Sequence, residues 1–161
     1  FERISDHAVN ITDSSTQMQE KKLKFSKKAM EELKVFSDAL CDIVDETMEA
    51  FTMNDLDKAR QIEPFEQVID SLNIELKQRH IHRLRKGKCT IELGLSLSDI
   101  LTNYERVADH CSNIAVCLIQ VEEDGFETHE YLNEVKQKDN KDFQNLYQMY
   151  YNKYQIGKAD K

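Results

Sequence analysis

The chain begins FERISDHAVNI, and 103 positions later it reads YERVADHCSNI, with Glu, Arg, Asp, His, Asn and Ile matched in order and spacing. In an ideal helix, residues four apart lie about 40° from one another, so Glu105, Asp109 and Asn113 form one polar stripe. Glu2, Asp6 and Asn10 repeat that stripe. The recurrence predicts that the same helix occurs twice, once in each half of a duplicated bundle.

The rest of the chain suits such a bundle. Only one Pro and four Gly interrupt 161 residues, while Lys, Glu, Leu, Gln and Met are plentiful, so an all-α fold is expected. A hydrophobic fraction of 40% is enough for a core. The net charge of -8 argues against a general nucleic-acid binder, which needs a basic surface to displace phosphate counterions, and makes cations the expected company. Cys41, Cys89, Cys111 and Cys117 form no CxxC pair and no zinc-finger spacing, so they read as small apolar residues in a reducing compartment. No apolar run approaches the roughly 20 residues of a membrane span, and the start at Phe1, with neither Met nor a basic leader, leads us to expect a further segment upstream.

Local punctuation divides the chain into helices. The first, to about Lys22, starts in mid-pattern without a cap. Ser26 caps a second that runs to about Met53, with Leu33, Phe36, Leu40, Ile43, Thr47, Met48 and Phe51 on its apolar face and Asp38, Asp42, Asp45 and Glu49 on a solvated one. A third starts near MNDLDKA with Asn54 as cap and Asp57 in its first turn, and a kink is expected near Gln61 from Pro64. It ends in RHIHRLRKGK, whose cations suit the negative end of a helix dipole and whose Gly87 suits a left-handed cap, a reading preferred over a phosphate or lipid-headgroup site. A fourth runs from Cys89 to about Val121. Thr128 opens a short helix to about Gln137. A last helix follows, with Phe143, Tyr147, Tyr150 and Tyr154 as a packing stripe.

The fourth helix carries the chemistry. From Cys89 to Val121 it has no Lys and a single Arg, Arg106, and Ile91, Leu95 and Val116 flank its polar stripe, so it is expected to be central. Two carboxylates on a largely buried helix need Arg106, His110, protonation or a bound cation to compensate them. The third helix supplies Glu66 and Asp70, with Glu63 and Asn73 a turn to either side. If these two helices are antiparallel neighbours, Glu66, Asp70, Glu105 and Asp109 converge at mid-bundle. That set makes a hard, oxygen-rich site suited to iron, manganese, magnesium or calcium, while His110, about 100° round the helix from Asp109, reads as a packed or surface residue ahead of a supporting partner.

ExxxD on a central helix, repeated in tandem halves and followed by His and Asn, resembles the PhoU-like proteins. The segments HIHRLRKGKC, NYERVADHCSNI, HEYLNEVK and YYNKY narrow the resemblance to the cytosolic C-terminal domain of bacterial sodium-phosphate cotransporters. It implies a PhoU-like antiparallel helical bundle in which residues 1–22 are the last helix of a truncated first repeat, 26–124 a complete three-helix second repeat, and 126–157 a C-terminal helical tail. It implies a cluster of metal ions, iron or zinc first and manganese or magnesium next. The cluster would be held by Glu66, Asp70, Glu105 and Asp109, with Glu2 and Asp6 belonging to a first site that lacks its facing acids.

The function implied is that of a non-enzymatic regulatory domain adjusting phosphate uptake, fused to a membrane transporter domain upstream. It would lie in the cytoplasm at the inner face of the cell membrane, without inserting into it and without binding nucleic acid. The uncovered face of the first helix predicts a homo-oligomer. The alternatives are a free-standing PhoU-like phosphate-signalling regulator and a di-metal carboxylate oxidase. None of the five His has the Glu three positions earlier that such oxidases use.

Overall fold

In the computed structural model, residues 1–122 and 141–157 are described, and they form an all-α bundle. Its helices are α1 (Glu2–Glu20), α2 (Lys27–Met53), α3 (Leu56–Arg85), α4 (Ile91–Glu122) and α5 (Lys141–Lys153). The short helix expected around Thr128 lies outside the described residues.

Helix ends follow the local chemistry with one exchange of roles. Ser26 caps α2, its hydroxyl accepting from the Ala29 amide at 3.2 Å. At the α2–α3 corner Asp55, not Asn54, caps α3, accepting from the Lys58 amide at 3.0 Å. Asn54 instead ends α2 in the left-handed region at φ 52°, which a short amide side chain tolerates, and donates to Glu122 at 3.0 Å. Gly87 takes φ 66° just beyond α3, as expected. The helical run of α3 continues across Pro64.

Packing makes α4 the centre, in contact with α1, α2 and α3, while α5 lies on α3. The core is continuous from Phe36, Leu40 and Ile43 of α2 through Phe65, Ile69 and Leu76 of α3 to Leu101, Val107 and Ile119 of α4. Two apolar expectations fail at the bundle's margins. Met48 and Phe51 are exposed, because Thr47 and Ala50 occupy the buried side of α2's last turns. Ile91 and Leu95 are also exposed although Val116 is buried, so α4 is central along its middle and C-terminal turns but not at its start. Gly94 marks a close α3–α4 approach: a Cβ there would sit 2.7 Å from His80 Nε2. Of the cysteines, Cys111 is buried, its thiol pushed up to about 11 by desolvation, and it behaves as the small apolar residue expected. Cys41 and Cys117 are exposed.

The aromatic stripe of α5 docks as predicted. Phe143, Tyr150 and Tyr154 are buried, and Phe65 stacks on Tyr150 at 4.1 Å and Tyr154 at 5.3 Å between centroids. The acids of α2 are not simply a solvated face, because two of them receive this helix. Tyr150 donates to Glu46 at 2.7 Å, and Asp42 accepts from Tyr154 and from Lys153 at 2.9 Å. The Tyr154 bond, and then Lys153, holds Asp42 below the ordinary carboxylate range.

Candidate functional site

Two polar ties fix the antiparallel register of α3 and α4. Ser112 donates to Glu63, and Asn73 donates to Glu105, so the side-chain ladder rises on one helix as it falls on the other. Between these ties lie Glu66 and Asp70 on α3 and Asp109 on α4, at the level the sequence predicts. Glu66 is buried at 7% exposure, whereas Asp70, Glu105 and Asp109 are half-buried along the rim of the seam.

The seam's carboxylates have basic neighbours. Lys77 Nζ lies 3.5 Å from Glu105, and Arg106 lies 3.4 Å from Asp109. Asn73 Oδ1 is buried without a hydrogen-bond partner. The donor chemistry therefore suits a hard cation, but the placement is that of a polar seam and not of a preformed cage. Among the described residues no three His, Cys, Asp or Glu side chains are gathered to hold a metal ion. Glu2 and Asp6 stand apart, exposed on α1, with Arg3 3.8 Å from Asp6.

The duplicated helices pack against each other. Asn103 of α4 meets both His7, at 2.8 Å, and Asn10, at 3.2 Å, while Lys21 reaches Glu92 at 3.3 Å. These contacts make α1 antiparallel to α4. His7 and His110, at matching positions of the two like phrases, face each other with ring centroids 5.4 Å apart. His110 thus turns toward α1 instead of supporting the α3–α4 seam. Burial, and then the facing His7, lowers the basicity of His110.

Sequence reasoning missed the strongest electrostatic feature. Glu32, only 4% exposed, accepts from Arg79 at 3.0 Å and Arg83 at 2.7 Å, and so clamps the start of α2 to the end of α3. The available signal was the polar Glu32 beside Leu33 and Phe36 on the buried side of α2, paired with two Arg four apart. Arg79 and Arg83 serve this clamp, while Arg85, Lys86 and Lys88 remain exposed beyond it.

Long antiparallel helices, cross-tied by acids along an inner seam, define a helical bundle whose distinctive chemistry is carboxylate. Residues 33–118, which span most of α2 through α4, match the PhoU domain, and the chain belongs to that family. It is 31% identical over 122 residues to the phosphate-specific transport system accessory protein PhoU homolog 1 of Thermotoga maritima. That alignment covers 76% of this chain and 52% of the relative, so the chain spans about half of the relative's length. No solved structure matches. None of the described helices is long and apolar enough to cross a membrane.

Proposed function

We propose that the chain is a non-catalytic regulator of phosphate uptake that acts on a membrane phosphate transporter from its cytoplasmic side. The observation that carries this reading is the relationship, running through α2 to α4, to a protein named as an accessory of a phosphate-specific transport system. An accessory protein is a separate chain, which favours the free-standing form. The second reading, a cytosolic domain fused to a sodium-phosphate cotransporter, draws its support from HIHRLRKGKC and YYNKY. Phosphate uptake in cells lacking the gene tests both. Uptake that stays high in phosphate excess, and is restrained again when the gene is restored, supports the regulator. Unchanged uptake overturns it. Sodium dependence of the affected uptake assigns the cotransporter.

Cation binding at the α3–α4 seam belongs to the same reading. Glu66, Asp70, Glu105 and Asp109 would hold iron or zinc, with manganese or magnesium as alternatives. An arriving ion would displace Lys77 and Arg106, whose half-exposed pairs are each worth no more than about 1 kcal/mol. That is a small cost against a multivalent cation held by several carboxylates. Glu2 and Asp6 would join a second site only with facing acids from outside α1's present surroundings. Elemental analysis of tag-free protein is expected to find stoichiometric metal that disappears in Glu105→Gln, Asp109→Asn. Wild type that stays metal-free after reconstitution removes the ion and leaves the regulator reading to the uptake test.

A further inference from the structure

The chain is acidic overall, at -8, yet exposed cations outnumber the exposed acids Glu20, Glu31 and Glu92 at one end. The Lys21–Glu92 contact at 3.3 Å brings the end of α1 to the start of α4, and the Arg83–Glu32 pair at 2.7 Å brings the start of α2 to the end of α3. Two basic connections, KKLKFSKK and RKGK, therefore share one end of the bundle. Lys22, Lys24, Lys27, Arg85, Lys86 and Lys88 are all exposed there. Of these, Lys22, Lys24, Lys86 and Lys88 make no ion pair with a described residue, whereas Lys27 lies 3.8 Å from Glu31.

Exposed acids mark the other end, among them Glu49, Asp57 and Glu122. A helix of the 27 residues of α2 is about 40 Å long at 1.5 Å per residue. Four or five Debye lengths at physiological salt thus separate the two ends, and the acidic end does not cancel the field of the basic one. The basic end also holds an apolar groove of about 480 Å³ between α1 and α2. Met18, Leu23, Phe25, Met30, Leu33 and Ile100 line it, with Lys24 at its rim. Met30 is 51% exposed in it.

We propose that this end is a docking surface for an anionic phospholipid membrane, with lysines on the headgroups and the groove admitting apolar lipid atoms. Charge complementarity carries the assignment, and lysine dominance selects the occupant. Flexible ammonium groups spread over two connections suit a diffuse field of negative headgroups, whereas specific recognition of a carboxylate peptide favours the planar fork of Arg. Only Arg85 among the exposed cations of these two connections offers that fork. The inference rests on charge placement and the adjoining groove, and holds whichever transporter the chain serves.

The test is co-sedimentation of the full chain with phosphatidylcholine vesicles and with vesicles of equal parts phosphatidylcholine and phosphatidylglycerol. Binding to the anionic vesicles alone is expected, and it should be lost near 1 M salt, where the Debye length is about 3 Å. At about fivefold per cation, the quadruple variant Lys22→Gln, Lys24→Gln, Lys86→Gln, Lys88→Gln is expected to lower partitioning a few hundredfold. Its four positions are exposed, and an unchanged circular dichroism spectrum verifies its fold. Met30→Asp weakens binding with every lysine in place. No binding to anionic vesicles overturns the proposal, as does binding unaffected by salt or by the quadruple variant. Lysine-dependent binding of soluble poly-glutamate without vesicle binding also overturns it, and assigns this end to an acidic protein.

Discussion

Replacing Glu32 by Ala lowers the stability of the bundle by about 3–5 kcal/mol, because it leaves two guanidinium groups, Arg79 and Arg83, partly or wholly without their shared anion at a buried site. Arg79 keeps Glu75 as a partner, but Arg83 is 5% exposed and has no other ion pair among the described residues. Its charge is then held in a poorly solvating pocket, and α2 separates from α3 at the bundle's basic end. The net value of the intact clamp is a different quantity. Glu32→Leu combined with Arg79→Met and Arg83→Leu removes the charges together, and it should recover most of the loss, since apolar replacements of a whole buried triad are often neutral or better. Urea denaturation followed by circular dichroism measures both variants. A loss under about 1 kcal/mol for Glu32→Ala would mean that water screens the clamp as it does a surface pair.

Glu32 also shows where the sequence was legible and where it was not. The five described helices, capping by Ser26, the left-handed Gly87 and the docking stripe of α5 are local properties of spacing and side-chain type, and the structure has them. The antiparallel α3–α4 register was legible too, because a short connection leaves two apolar helices little choice. Cross-chain partners carry no such local mark. Asp42 and Glu46 lie on a run of acids that any solvated helix face would show, and only the arrival of Tyr154 and Tyr150 makes them acceptors. His110 follows Asp109 in the chain, yet a 100° step around the helix turns it to His7. The family was legible from the repeated ExxxD phrase, whose order and spacing are a long-range signal that single motifs lack. The carboxylate seam was legible as a level in the bundle, whereas the fine placement of its oxygens depends on Lys77, Asn73 and Ser112, none of which the ExxxD pattern specifies.

Phe65→Ala is expected to cost about 3–5 kcal/mol, the range for truncating a fully buried aromatic. Its local consequence distinguishes it from other core deletions. Phe65 is wholly buried and stacks on both Tyr150 and Tyr154, so it is a central apolar anchor for the last helix. The remaining hold on α5 is the buried Phe143 together with polar bonds: Tyr150 to Glu46, Tyr154 and Lys153 to Asp42, and Tyr147 to Ser71 at 3.0 Å. Such bonds contribute about 1 kcal/mol each and do not fix a 13-residue helix, which is marginal by itself in water. Hydrogen exchange should therefore show the amides of α5 losing protection to near-solvent rates while those of α4 stay slow, with a lower global urea midpoint. Equal loss across all helices would mean that α5 unfolds only with the whole bundle. Full protection of α5 would place its anchor in the hydrogen bonds to α2 instead of the stacked rings. The distinction bears on the site, because α5 lies on the same α3 that carries Glu66 and Asp70. A detached α5 would expose the outer side of that helix to water and loosen the acids that face α4.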